Sequence, residues 1–233
     1  GQEIGKYFRE NRNPLEFEQL PLNIVNTLIS TEDARFTSHS GIDLRSMFRV
    51  VFSLGTAGGG STITQQLAKN LFNTRSMEFG EDDPVYIGLL MKVDGLRTVI
   101  AKVKEWILAI RLERRYTKQE IMAMYLNEVS FGNNAYGIQV ACRTYFQKDL
   151  KDVTMPEAAT LIGLLQNPSL YDPRVRPEKT IERRNTVLGQ LEKYEFLTED
   201  DLLKMREAPL NLHYKVENQN TGAAPYFREA IRI

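Results

Sequence analysis

Apolar residues recur along this chain mainly at the three- and four-residue spacing of amphipathic helices, and sustained alternation is scarce. Thr117-Lys118-Gln119-Glu120 has the form of a capping box, and Ile121, Met124 and Tyr125 follow it at helical intervals. Thr154-Met155-Pro156-Glu157 repeats the signal, with Pro156 in a first-turn position ahead of residues 158–165. Thr198 with Asp201 opens a third helix before Leu202, Leu203 and Met205. Val99, Val103, Trp106 and Ile110 form a stripe on another. In residues 44–54, Leu44, Phe48 and Val51 share one stripe while Arg45 and Arg49 share a second, which suits either a core helix or one lying in a membrane interface. Only residues 212–216 read as a strand, and then as an edge strand. The pattern predicts a mainly α fold with no internal repeat.

Three stretches resist a regular reading. Thr56-Ala57-Gly58-Gly59-Gly60 reads as a flexible loop, residues 73–94 contain a Gly-Glu-Asp-Asp-Pro turn, and residues 167–177 hold three prolines. After Pro209 the chain turns polar and poorly periodic. The expected organisation is one domain over residues 1–210, then a tail or the start of a linker over 211–233.

Composition narrows the class. At 233 residues with 42% apolar and 26% charged residues, the chain is an ordinary folded protein and not a disordered one. Lys plus Arg and Asp plus Glu number 30 each, so the basic excess of a general nucleic-acid binder is absent and an anionic ligand must be met by local cation clusters. The single cysteine, Cys142, excludes an internal disulfide and a multi-cysteine metal site. No apolar run is long enough to span a bilayer, and the sequence begins at Gly1, so a membrane anchor would lie outside this fragment.

Five segments carry candidate chemistry. Ser30-Thr31-Glu32-Asp33-Ala34-Arg35-Phe36 places two carboxylates side by side, where repulsion and burial suit one to general-base work; acids favoured by a helix dipole are the plainer explanation. Gly58-Gly59-Gly60-Ser61-Thr62-Ile63-Thr64-Gln65-Gln66-Leu67-Ala68-Lys69-Asn70 leads glycines into a hydroxyl-rich first turn, whose free backbone N–H groups could hold an anion. Lys69 comes too late for a nucleotide P-loop. Residues 97–106, with Arg97, Lys102, Lys104 and Glu105, set a carboxylate among cations; a solvated face with Lys102–Glu105 pairing is the alternative. Residues 121–138 read as a helix stopped by Gly132, with Asn127 as a candidate hydrogen-bonding brace, and residues 161–185 as scaffold.

Taken in order, the five segments resemble the five motifs of glycosyltransferase family 51, the peptidoglycan glycosyltransferases. Glu-Asp-x-x-Phe from Glu32, Gly-Gly-Ser-Thr-Ile-Thr-Gln-Gln-Leu-Ala-Lys-Asn from Gly59, and Tyr-Leu-Asn-x-x-x-Phe-Gly from Tyr125 carry the likeness, which runs from about Glu32 to Leu188. The resemblance implies a lysozyme-like large lobe with a smaller membrane-proximal lobe. It implies an enzyme that polymerises lipid II into β-1,4 glycan strands, with inversion at the anomeric carbon and release of polyprenyl diphosphate. By motif position Glu32 and Glu105 are the expected catalytic residues: Glu32 as the base for the acceptor 4-hydroxyl, Glu105 assisting diphosphate departure. Asp33, Ser61, Gln65, Gln66, Lys69, Arg97, Lys102 and Lys104 are the expected substrate-binding set.

The same likeness implies work at the outer, periplasmic face of a bacterial cell membrane. Its expected partners are lipid II, the growing lipid-linked glycan, a moenomycin-type inhibitor and cell-wall assembly proteins; no nucleic acid is expected. No metal-ligand spacing is present, although Mg or Mn could supply part of the charge at the diphosphate. Residues 223–230 resemble the linker that follows this domain in class A penicillin-binding proteins, while no Ser-x-x-Lys or Lys-Thr-Gly motif occurs. Two features depart from the family pattern: Ala101 stands where a basic residue is usual, and residues 73–96 hold a long insertion. A lysozyme-like hydrolase and a non-catalytic lipid II-binding scaffold are the rival readings. The cations Lys69, Arg97 and Lys104 speak against the first, because a hydrolase has no diphosphate to hold.

Overall fold

The computed structural model describes residues 15–52, 60–72 and 96–215, with side chains at 49–52 and 96–98 outside that description. The described chain is mainly helical, as the spacing predicts. Its α-helices are α1 (Leu22–Glu32), α2 (Leu44–Phe52), α3 (Ile63–Phe72), α4 (Leu96–Glu113), α5 (Lys118–Glu128), α6 (Ile138–Phe146), α7 (Met155–Leu164), α8 (Pro177–Lys193) and α9 (Glu199–Glu207). Short 3₁₀ turns lie at Phe17–Gln19, Phe36–Ser38 and Leu150–Asp152. The three capping signals act where the sequence puts them. Glu120 N–H donates to Thr117 Oγ1 at 3.2 Å while Glu120 takes the Thr117 N–H at 2.7 Å, Thr154 and Glu157 form a second reciprocal box, and Thr198 accepts from Asp201 N–H at 3.2 Å.

The chain divides into two compact units, residues 28–128 and residues 1–27 with 129–233. In the second, α7, α8 and α9 pack around Ala159, Val187, Leu188, Leu191 and Leu202. Cys142 is fully buried here, and burial drives its thiol pKa far up, so the core-filler reading holds. Arg184, also buried, holds the C-terminal end of α9: it donates to the carbonyls of Arg206 (2.8 Å) and Ala208, and to Asn185 beside it on α8.

Two local expectations fail in this unit. The fourth segment does not run as a helix to Gly132; α5 stops at Glu128 and a tight reversal follows. Asn133 and Asn134 both hold left-handed backbone (φ 51° and 59°), Ala135 N–H donates to Gly132 O at 2.9 Å, and Ser130 bridges Tyr136. Asparagine tolerates that conformation, so Gly-Asn-Asn-Ala encodes a two-residue turn of the hairpin type. Asn133 braces this region: its Nδ2 donates to Tyr145 Oη (2.9 Å) and Asp172 (3.2 Å). Nor do residues 212–215 form a strand. His213 and Lys215 N–H donate to the carbonyls of Tyr145 (2.9 Å) and Thr144 (2.8 Å), so this segment straps the last turn of α6. The rest of the expected linker, residues 216–233, lies outside the described residues, as do the loop at 56–59 and the insertion up to residue 95.

In the first unit α3 packs against both α4 and α5. The stripe on α4 is split: Trp106 and Ile110 are half-buried, while its N-terminal valines lie at the surface. Val99 is 57% exposed and Val103 and Ile107 also lie open, while Glu105, Ala109 and Leu112 point inward. Leu44, Phe48, Leu71 and Phe72 are exposed as well. The inward face of α4 thus carries a charged group, Glu105, among apolar residues, and other apolar residues on three helices are left at the surface.

Candidate active site

The candidate residues meet at α3. Glu32 ends α1 and is half-buried; Gln66, on α3, donates Nε2–H to Glu32 Oε2 at 2.8 Å. Its neighbour Asp33 is buried and turned away into the protein. One face of its carboxylate meets His39 Nε2 at 2.9 and 3.0 Å, and Oδ2 accepts the Ile63 N–H at 3.1 Å. Gly41 N–H donates to His39 Nδ1 at 3.3 Å, which makes Nδ1 the acceptor and Nε2 the protonated nitrogen that donates to Asp33. Both Asp33 oxygens are thus engaged by the protein. The residue joins the end of α1 to the start of α3.

The start of α3 explains what happens to the expected backbone anion site. Ile63 N–H is held by Asp33, Gln65 N–H by Thr62 Oγ1 at 3.1 Å, and Thr62 Oγ1 donates onward to Gly41 O at 2.7 Å. Two of the first three N–H groups of α3 are therefore capped internally. Gln65 is buried; its Nε2 donates to Gly41 O at 3.3 Å and its Oε1 has no hydrogen-bond partner. Lys69 stands half-buried one turn beyond Gln66.

The second carboxylate belongs to α4. Glu105 is 2% exposed, and Lys102 one turn earlier bonds both Glu105 Oε2 and Ser61 Oγ at 2.8 Å. The Lys102–Glu105 pair does form, but its carboxylate is buried and not solvated, and Ser61 ties it to the segment that leads into α3. Lys104 is half-buried beside it, and the side chain of Arg97 lies outside the described residues.

Behind these groups is a brace that spacing does not reveal. Glu113 accepts from Thr64 Oγ1 (2.5 Å) and Lys118 Nζ (2.8 Å); Lys118 also donates to His39 O at 2.7 Å and sits 4.3 Å over the Phe36 ring. It ties α3, α4 and the start of α5 to the loop that carries His39. Tyr125, on α5, donates to Gln66 Oε1 at 2.9 Å. Among the described residues no group of three or more His, Cys, Asp and Glu side chains is placed to hold a metal ion. The arrangement offers a half-buried carboxylate with a fixed hydrogen-bond donor, able to take a proton. It also offers a buried carboxylate that orders a lysine, able to help hold an anion.

Fold and site together define a helical domain that presents two protein-braced glutamates, Glu32 held by Gln66 and Glu105 by Lys102. The chain belongs to the Transglycosylase family, whose sequence profile matches residues 1–192. It is 37% identical over 237 residues to penicillin-binding protein 1F of Bacillus subtilis, covering 100% of this chain and 30% of that one. It is 34% identical over 236 residues to penicillin-binding protein 1A of Pseudomonas aeruginosa and to that of Escherichia coli, covering 100% of this chain and 26% and 25% of theirs. The chain thus spans less than a third of the length of these curated relatives. The crystal structure of penicillin-binding protein 1A from Haemophilus influenzae shares the fold, with a TM-score of 0.53 at 20% identity over 98% of this chain and 22% of that one.

Proposed function

We propose that this chain is a peptidoglycan glycosyltransferase domain that adds lipid II to a lipid-linked glycan strand. The supporting observation is the pairing of roles around α3: Glu32 held by Gln66, and buried Glu105 held by Lys102 and Ser61. Glu32, as carboxylate, takes the proton of the acceptor 4-hydroxyl and becomes the neutral acid. The oxygen attacks the donor anomeric carbon from the face opposite the leaving group, so the carbon inverts and a β-1,4 bond forms. The bond to the diphosphate oxygen breaks, and the polyprenyl diphosphate leaves with its electron pair. Its growing charge is met by Lys69, Lys102, Lys104 and Arg97, with Glu105 ordering Lys102; fixed charge aimed at a developing anion is a strong catalytic device. Ser61, Gln65 and Gln66 line the approach, and Asp33 sets the direction of Glu32. Mg or Mn would add charge at the diphosphate.

The substrate's lipid places the reaction at a membrane surface, on the outer face of the bacterial membrane. Among the described residues no helix is long and apolar enough to cross a membrane. The exposed Leu44, Phe48, Leu71, Phe72, Val99, Val103 and Ile107 supply an apolar surface for lying against one. Moenomycin-type compounds and cell-wall assembly proteins are its further proposed partners.

The deciding experiment is polymerisation of labelled lipid II in detergent by the chain and by its Glu32→Gln form. The expected result is a glycan ladder from the first and a loss of at least a hundredfold in rate from the second, the usual scale for a general base. Release of short sugars without polymer would establish a hydrolase instead, and equal activity of the two forms would remove Glu32 from the chemistry.

A further inference from the structure

The Glu32–Gln66 hydrogen bond does not end at Gln66. The same side-chain amide reaches Tyr125 on α5, a residue that is fully buried and that none of the roles above uses. The three groups form a chain: Tyr125 Oη to Gln66 Oε1 at 2.9 Å, and Gln66 Nε2 to Glu32 Oε2 at 2.8 Å. Its polarity follows from elementary chemistry. An ionised carboxylate only accepts, so the end of the amide that faces Glu32 must be NH₂. The other end is then the carbonyl, which only accepts, so the tyrosine must donate. Flipping the amide would set a carbonyl oxygen against a carboxylate, and its NH₂ against a phenol proton.

We propose that Tyr125 is a positioning residue for the transfer reaction: its hydroxyl locks the Gln66 amide in the one orientation that donates to Glu32. The inference rests on the reading of Glu32 as the base. Gln66 alone has a rotatable side chain on a half-buried surface, and it could turn toward solvent or a substrate hydroxyl. Anchored at its carbonyl end by a group that the core holds rigid, it keeps its NH₂ on the carboxylate. The carboxylate is then held in the rotamer from which it meets the acceptor. Tyr125 is suited to this work because its own proton stays put. Burial, reinforced by the Glu32 charge, pushes the phenol pKa well above its ordinary value, so the group is a fixed donor and not an acid in the reaction.

Tyr125→Phe removes the hydroxyl and keeps the ring that fills the core. Three measurements test the proposal: lipid II polymerisation kinetics of Tyr125→Phe, Gln66→Leu and the double variant; their unfolding midpoints; and the side-chain amide NMR signals of ¹⁵N-glutamine-labelled protein. The Gln66 signals are assigned by their absence in Gln66→Leu. The expected result for Tyr125→Phe is a fall in kcat of roughly tenfold, the upper scale of one neutral hydrogen bond, with KM little changed. The Gln66 amide protons should lose the downfield separation that a bond to a carboxylate gives, and the double variant should be no slower than Gln66→Leu. An unchanged amide signature, or losses that multiply in the double variant, would overturn the proposal. If Glu32→Gln proved as active as the parent chain, the functional reading would fall. The amide signals, which need no turnover, would still decide whether Tyr125 orients Gln66.

Discussion

Gly41→Ala tests how tightly the first helices of the site are held. Gly41 has φ +91°, a left-handed conformation that a residue with a Cβ adopts at a cost of about 1–2 kcal/mol. An ideal Cβ there would lie 2.9 Å from the Ala109 carbonyl carbon and 3.0 Å from its oxygen. Both atoms are backbone of α4, so no side-chain rotation relieves the contact, and helix and loop must separate. Overpacking of this kind typically adds about 1–3 kcal/mol. The two costs give a destabilisation of roughly 2–5 kcal/mol, against a total of about 5–15 kcal/mol for an ordinary domain.

The consequence for function is direct, because Gly41 O is the acceptor for Thr62 Oγ1 and Gln65 Nε2 at the start of α3. Denaturant unfolding followed by circular dichroism, extrapolated linearly to water, measures the stability change. Polymerisation assayed well below the melting temperature should fall even where the variant is folded. Gly189→Ala is the matched control. That glycine lies within α8, and its nearest neighbour to an added Cβ is Arg206 Nη2 at 3.5 Å, an ordinary contact. Alanine there should be neutral or stabilising, by up to about 1 kcal/mol. A change below about 0.5 kcal/mol for Gly41→Ala, or equal effects from the two variants, would refute the steric reasoning.

Two further outcomes follow from the same unit of the chain. Burial opposes ionisation of Asp43, yet hydrogen bonds from Arg35 and Ser46 outweigh it and hold the carboxyl well below the usual carboxylate range. A depressed folded-state pKa means that this stabilisation is complete above the ordinary value of 3.8 and is lost as pH falls below it toward the folded value. Asp43→Asn should therefore cost roughly 2 kcal/mol at pH 7, with the gap to the parent narrowing below pH 4. An equal gap at pH 7 and pH 3 in unfolding titrations would contradict it. Phe48, 53% exposed on α2, is placed to enter a lipid surface, so Phe48→Asp should reduce co-sedimentation with anionic liposomes and slow turnover of full-length lipid II. Unchanged co-sedimentation would rule out that contact.

Local chemistry made much of this protein legible from its sequence. The helix starts at Thr117, Thr154 and Thr198 are set by side chains three residues apart, and no distant residue is needed to form them. The motifs likewise named Glu32, Gln66, Lys102 and Glu105, and the structure ties them to α3 in two sets. What the sequence left undetermined depends on partners far along the chain. Gln66 meets Glu32 across 34 positions and Tyr125 across 59, and Lys102 meets Ser61 across 41. No periodicity encodes such pairings.

The same limit applies to α4. Periodicity marks an apolar stripe through Val99 and Val103, but which residues turn inward depends on what packs against the helix. Here Glu105 is buried, and Lys102 bonds both it and Ser61. Asp33 shows the point at atomic scale. As a letter beside Glu32 it reads as a second acid at a site, and only the fold supplies His39 and the Ile63 N–H that turn it into a brace. Sequence fixes which groups are present and where helices can begin. Tertiary packing decides which of those groups lose water to one another, and that exchange separates the groups that support the site from those left to face a substrate.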